Sequence, residues 1–266
     1  MAAPAPTPAP ATATAVTPTP AMLVKQLHDA GFCFMPGAAL RTALSQLHPD
    51  WDADWPTFAA SWDQLVLDRY MADGGRYRRR RYATLSANAE GVVTVEPHQP
   101  HYQSLDYNRL NGGVARYFEP ILDAVLHGSV LTGVIAYGQH IFRTLYPADA
   151  THIEVHQFRI EARPGTEGLP TPEGMHRDGV DFVLVMMVRR ENVLSGTTET
   201  FDLSGQRLAA FTLTDPGDTA LVDDQRAMHG VTPIKPKDAS HPAWRDVLVV
   251  TYRRKSAVTG SPNTSA

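Results

Sequence analysis

A single cysteine, Cys33, stands in 266 residues. That excludes a disulfide framework and a paired-cysteine zinc site, and it fits a reducing compartment, so a cytoplasmic setting is expected. A dominant charge is missing too. Lys and Arg number 24 against 28 Asp and Glu, for a net charge of -4 and a pI near 6.2. Nothing in that balance favours nucleic acid or an anionic membrane as partner. No apolar run approaches the roughly 20 residues that span a bilayer. The opening of the chain lacks charge altogether, Lys25 being the first ionic side chain, and 6 of the 21 prolines fall within its first 20 residues.

Residues 1–21 therefore form a Pro/Ala/Thr tract with nothing large enough to build a core, and disorder is expected there. The tract has neither the basic nor the apolar region of a secretory signal. Residues 257–266 are expected to form a flexible tail. Between the tails, residues 22–256 have the length of one domain without internal repeats.

That domain changes period part-way. From Met22 to Tyr146 the apolar spacing is mostly three and four, as in Leu23, Leu27 and Ala30 before Gly31, which predicts helices. Further helices are predicted around Phe58 to Leu67, Val114 to Leu126 and Val130 to Leu145. From His152 the period shortens to that of strands: His152 to Glu161, Asp181 to Val188, Glu199 to Leu203, Leu208 to Leu213, Thr219 to Asp223, Ala227 to Thr232 and Arg245 to Arg254. Pro164-Gly165, Ser204-Gly205 and Pro216-Gly217 punctuate them. Many short strands at this spacing predict a mainly β protein with flanking α, a double-sheet jelly roll (residues 151–256) behind a helical half (residues 22–150).

Chemistry concentrates in the second half. His176-Arg177-Asp178 places an imidazole and a carboxylate two residues apart, on one face of extended chain. His229 follows 51 residues after Asp178. Two imidazoles and one carboxylate leave the opposite coordination positions of a metal open, the ligand set of non-haem Fe(II) oxygenases. Sixteen residues further, Arg245 opens the apolar run Arg-Asp-Val-Leu-Val-Val-Thr-Tyr. A guanidinium there is costly unless it meets an anion, and its fork matches a carboxylate. Arg245 is thus the candidate anchor for 2-oxoglutarate, with pairing to Asp246 or Glu199 as the structural alternative.

With His156-Gln157-Phe158-Arg159 added, these motifs resemble the Fe(II)/2-oxoglutarate-dependent dioxygenases, and within them the free L-amino-acid hydroxylases related to L-isoleucine 4-hydroxylase. The resemblance is strong over residues 152–254 and weaker over 76–120. It implies a double-stranded β-helix, with Fe(II) held by His176, Asp178 and His229 as the catalytic centre, and 2-oxoglutarate and O2 as co-substrates. It also implies hydroxylation of an aliphatic C–H of a free amino acid or similar small polar molecule, with 2-oxoglutarate decarboxylated to succinate. Asp178 favours hydroxylation over halogenation, since related halogenases carry a small residue in its place.

Other candidates are less constrained. Gln157 and Arg159 share one strand face and are candidates for 2-oxoglutarate and substrate binding respectively, against a plain hydrogen-bonded pair. His156 reads as a satisfied core group or a support for the metal site. In the run Arg76 to Tyr82, a strand would turn Arg78, Arg80 and Tyr82 one way and Arg79 and Arg81 the other. Arg78, Arg80 and Arg81 are candidates for a substrate carboxylate, against a solvated, salt-bridged strand. Tyr102, Asp106 and Asn111 lie in a polar loop placed to cover the site, and Asp223 or Asp224 could orient His229. Two other functions stay open: a cupin-type metal-dependent hydrolase or isomerase on the same ligands, and a jelly-roll module that binds without turnover. The expected partner is a small molecule, with no nucleic acid and no membrane, and the chain is compatible with a homodimer.

Overall fold

The structure is a computed structural model that describes residues 18–255. The expectations for residues 1–17 and 257–266 lie outside it. The chain runs α1 (Pro20–Ala30), β1 (Phe32–Met35), α2 (Gly37–Leu47), α3 (Trp51–Ala60), a 3-10 turn (Ser61–Gln64), β2 (Val66–Leu67), β3 (Arg78–Ala87), β4 (Val93–Val95), α4 (Asp123–Leu126), α5 (Ser129–Leu145) and β5 (Ala150–Ala162). It continues through β6 (Phe182–Glu191), β7 (Val193–Ser195), β8 (Thr198–Asp202), β9 (Arg207–Phe211), β10 (Thr219–Asp223), β11 (Ala227–Val231), β12 (Ile234–Pro236) and β13 (Ala243–Lys255).

An antiparallel sheet in the order β1-β10-β6-β13-β5-β3-β2, with β4 beside β3, faces a smaller sheet β11-β8-β9, and β12 pairs with β7. Side-chain alternation explains the layers. In the unbroken apolar run of β6, Phe182, Leu184 and Met186 join the core beneath the helices, while Val183, Val185 and Met187 face the other way. The same split divides Leu248, Val250 and Tyr252 from Val247 and Val249 on β13. Both faces of the central strands are covered, so alternation of polarity is lost there. Helix α5 buries Val130, Leu131, Val134, Ile141 and Phe142 against Leu23, Leu27, Leu40 and Leu44 of the first two helices.

The seven predicted strands are present, most within a residue or two of their expected ends. The first half needs three corrections. Residues 22–150 carry the described α-helices almost entirely, as expected, but they are not wholly helical, because β1 and β3 are strands of the large sheet. Val114 to Leu126 is mostly irregular, with only Asp123–Leu126 helical, since Pro120 lacks a backbone donor and lies in a β-bridge to Tyr82. Ordered chain also begins before Met22: α1 starts at Pro20, and the Thr19 hydroxyl accepts from the Met22 amide at 3.3 Å, an N-cap with proline in the first turn.

Candidate metal centre and its cavity

His176 and His229 meet through their backbones, each amide donating to the other's carbonyl at 2.9 and 3.0 Å. A bridged antiparallel pair puts both side chains on one side, and the rings lie 4.6 Å apart. Asp178, two residues beyond His176, turns to the same point. Its Oδ1 is 3.7 Å from His176 Nε2 and its Oδ2 3.5 Å from His229 Nε2. One ligand atom from each lies within 4.8 Å of the others. His176 Nδ1 donates to the Gly174 carbonyl at 3.0 Å, which leaves Nε2 as the nitrogen turned toward a metal. His229 Nδ1 is buried with no partner among the described residues. The donor set fits a ferrous ion.

The carboxylates that would draw a metal also favour a proton on His176, which a metal would displace. Burial disfavours a charged His176, yet the Asp178 carboxylate, with Glu173 beyond it, pushes the imidazole up to about 9. Burial, with the charge of His176, takes His229 down to about 4. Asp178 is held well below the usual carboxylate range despite burial, chiefly by His176. Asp224 does not orient His229. Its carboxylate accepts from the amides of Asp178, Gly179 and Val180 at 3.0, 2.9 and 3.2 Å, which fixes the loop that carries Asp178. Burial and the nearby Asp178 charge raise Asp224 to about 7. Asp223 caps Gln225 instead. Gly179 has φ +79°, and a Cβ there would lie 2.5 Å from the Tyr107 ring, so both backbone and space require glycine.

The three residues open into a cavity of about 140 Å³ between the sheets, which also receives Arg245, Arg78, Arg80, His156 and Phe158. A more open groove of about 1070 Å³, lined by Gln139, His140, Arg143 and Arg254, lies elsewhere and includes none of the triad. Arg245 is 2 % exposed, and its Nε and Nη2 have no partner among the described residues. Neither Asp246 nor Glu199 pairs with it. Burial, with Arg190 nearby, lowers it to about 10. A buried fork with open N–H groups is a carboxylate receptor.

Register sorts the remaining candidates. Arg78 and Arg80 of β3 pair with Ile160 and Phe158 of β5 and share their cavity face. Gln157 and Arg159 take the opposite face, in phase with Ile153 and Val155 beneath the helices. Gln157 donates to Ser61 Oγ at 2.8 Å. Arg159 grips Asp246 with two bonds of 2.7 Å and Asp63 with one of 2.9 Å. Arg81 spends its guanidinium on the carbonyls of Gln64 and Pro120. These three do not line the cavity; the apolar phase of β5 was the signal that assigns their face.

A second set of two histidines and a carboxylate lies in the same cavity: His101, Glu154 and His156. Arg80 Nη2 is 2.6 Å from His156 Nδ1. A guanidinium can only donate, so Nδ1 accepts and the proton sits on Nε2, 3.8 Å from Glu154 Oε2. Tyr82 donates to Glu154 Oε1 at 2.7 Å, and His101 Nδ1 is 3.2 Å from Oε2. Burial lowers His156 to about 3 and also lowers His101. The imidazoles are neutral, and the metal-binding lone pair of His156 Nε2 is occupied by a proton.

Sequence reasoning missed His101, Gln103, Asn108 and Arg116, which reach the cavity from the irregular segment 96–120, and Glu173, three residues before His176. Gln103 Nε2 donates to the Asp178 carbonyl at 3.0 Å. Tyr102 and Asp106 of that segment face solvent, and Asn111 accepts from the Ala72 amide.

The 2OG-Fe dioxygenase family model matches residues 59–251. The chain is 24% identical over 239 residues to a 3(1)-hydroxy-L-isoleucine 4-dioxygenase of Pantoea ananatis, covering 87% of this chain and 95% of that protein. It is 26% identical over 200 residues to an L-isoleucine-4-hydroxylase of Bacillus thuringiensis, covering 72% and 82%. Among solved structures it is similar to a bsmA homologue from Methylobium petroleophilum, at 37% identity and TM-score 0.80 over 90% of this chain and 95% of that one. No described helix is long and apolar enough to cross a membrane. The chain belongs to the 2OG-Fe dioxygenase family, enzymes that use Fe(II), 2-oxoglutarate and O2.

Proposed function

We propose that this dioxygenase hydroxylates an aliphatic C–H of a free L-amino acid or a similar small polar molecule, converting 2-oxoglutarate to succinate and CO2. The observation that carries the reading is the union, in one cavity, of the His176/Asp178/His229 set with the unpaired guanidinium of Arg245. His176, Asp178 and His229 would hold the iron. Iron bound there supplies the activation of dioxygen that oxidative decarboxylation of 2-oxoglutarate drives.

The chain's own residues bind and orient. Arg245 would take the distal carboxylate of 2-oxoglutarate. Gly174 fixes the His176 tautomer, and Asp224 holds the backbone of the Asp178 loop. Val185, Val231, Val247 and Val249 give an apolar wall that keeps water from the reacting carbon. Arg78 and Arg80 bring positive charge to the substrate side. Family membership sets aside the cupin-type hydrolase and the binding module without turnover. Likeness to a 3(1)-hydroxy-L-isoleucine 4-dioxygenase and an L-isoleucine-4-hydroxylase supports an amino acid as substrate, and the lone unpaired Cys33 supports a cytoplasmic setting.

The test is incubation with ferrous iron, ascorbate, 2-oxoglutarate and oxygen against each free L-amino acid, read by mass spectrometry. A product heavier by one oxygen, formed with stoichiometric succinate, is expected. Succinate without any oxygenated amino acid would overturn the substrate class while leaving the family chemistry in place.

A further inference from the structure

Two guanidiniums in the cavity have no carboxylate within 4.0 Å among the described residues: Arg245 and Arg116. The proposed 2-oxoglutarate accounts for only one of them. Arg116 is 2 % exposed, its Nε has no partner, and its one side-chain hydrogen bond among the described residues is a long 3.5 Å bond to Gln103 Oε1. Its backbone is anchored by two bonds to His101, at 3.0 and 2.9 Å. The neighbouring cations are already engaged. Arg78 holds Asp68 at 2.7 Å. Arg80 shares that carboxylate at 3.8 Å, gives Nη2 to His156, and lies between the rings of Phe118 and Phe158 at 3.6 and 4.5 Å.

An acid in the same cavity is equally unmatched. Glu173 Oε2 is buried without a partner, and Oε1 has only His176 Nε2 at 3.7 Å. Its charge is felt at Arg116, yet the two form no ion pair. Opposite charges left apart in a buried space leave a gap that a ligand bearing both charges can bridge, each end meeting its complement. An α-amino acid carries both on one carbon.

We propose that Arg116 receives the carboxylate and Glu173 the ammonium of the free amino acid, so that the site selects zwitterions over amides and N-acylated forms. This rests on the amino-acid reading above and names the residues that enforce it.

The experiment is anaerobic calorimetry on the full chain loaded with Mn(II) and 2-oxoglutarate. The twenty standard L-amino acids are titrated first, then the carboxamide and N-acetyl forms of the tightest binder. Both modified forms are expected to bind at least about 10-fold more weakly, as for lost hydrogen bonds to charged groups. Arg116→Met should erase the acid-over-amide preference and keep the penalty on N-acetylation; Glu173→Gln should do the reverse. Arg116→Lys should retain the preference for the acid. Retained 2-oxoglutarate affinity in each variant reports an intact fold. Equal weakening of all three ligands in both variants, or a wild type indifferent to amidation, would overturn the assignment alone. Failure of every amino acid to bind would overturn the amino-acid reading with it.

Discussion

One cavity holds two sets of two histidines and a carboxylate, and only one of them is prepared for a metal. In the first, the Gly174 carbonyl accepts from His176 Nδ1 and turns Nε2 toward the site, and His229 Nδ1 has no partner among the described residues. In the second, Arg80 occupies His156 Nδ1 and forces the proton onto Nε2, while Tyr82 and His101 surround Glu154. Residue types and spacing are alike. What separates a metal site from a hydrogen-bonded core cluster is which nitrogen carries hydrogen, and a single neighbouring arginine decides it.

The sharpest way to break the comparison is to remove one ligand from each set. His176→Ala should abolish hydroxylation and stoichiometric Mn(II) uptake by calorimetry, whereas His101→Ala should leave one equivalent bound. Loss of metal in both would mean the sets act together. Next in size is the carboxylate that neutralises the arginines beside the second set. Asp68→Asn leaves Arg78 and Arg80 buried beside a neutral group and should cost about 3–5 kcal/mol in urea unfolding. Because Arg78 and Arg80 hold Asp68 below its ordinary range despite burial, its contribution is complete above the unfolded value near 3.9 and fades as pH falls through the lower folded value. The acid limb of the stability curve should therefore flatten in the variant.

Asp224→Ala removes the acceptor of three amides behind Asp178 and should weaken Mn(II) binding by about 10- to 100-fold. An unchanged affinity would show that the loop holds its ligand without help. The smallest effect should come from Arg80→Met, which frees His156 Nδ1 to take the proton. A second, weaker equivalent of Co(II) should then appear in the visible absorption titration, and its absence would show that Glu154 and Tyr82 suffice to keep the second set closed.

The sequence displayed the ligand set because its members sit on regular strands or beside them, where spacing converts to direction. Asp178 follows His176 by two, and Arg245 begins a run whose alternation is plain. It concealed Arg116, His101 and Gln103 because segment 96–120 has no period, and the cavity reaches them only through tertiary packing. Gln157 and Arg159 were separable from His156 and Phe158 by parity, but choosing the inner face required knowing that Ile153 and Val155 pack under helices. At β3 the alternation of the arginine run was legible, Arg78 and Arg80 against Arg79 and Arg81, but which pair points inward is set by the pairing of β3 with β5.

The reciprocal backbone bonds between His176 and His229 carry one more consequence. Two of the three proposed ligands are joined by main-chain pairing, so folding is expected not to wait for the ion as it does in small zinc domains. Iron is then expected to be exchangeable. A chelator should strip it while the far-UV signal and melting behaviour stay those of a folded protein, and added Fe(II) should restore turnover without a refolding lag. If so, enzyme that loses its metal to stray oxidation should be recovered by resupply rather than resynthesis.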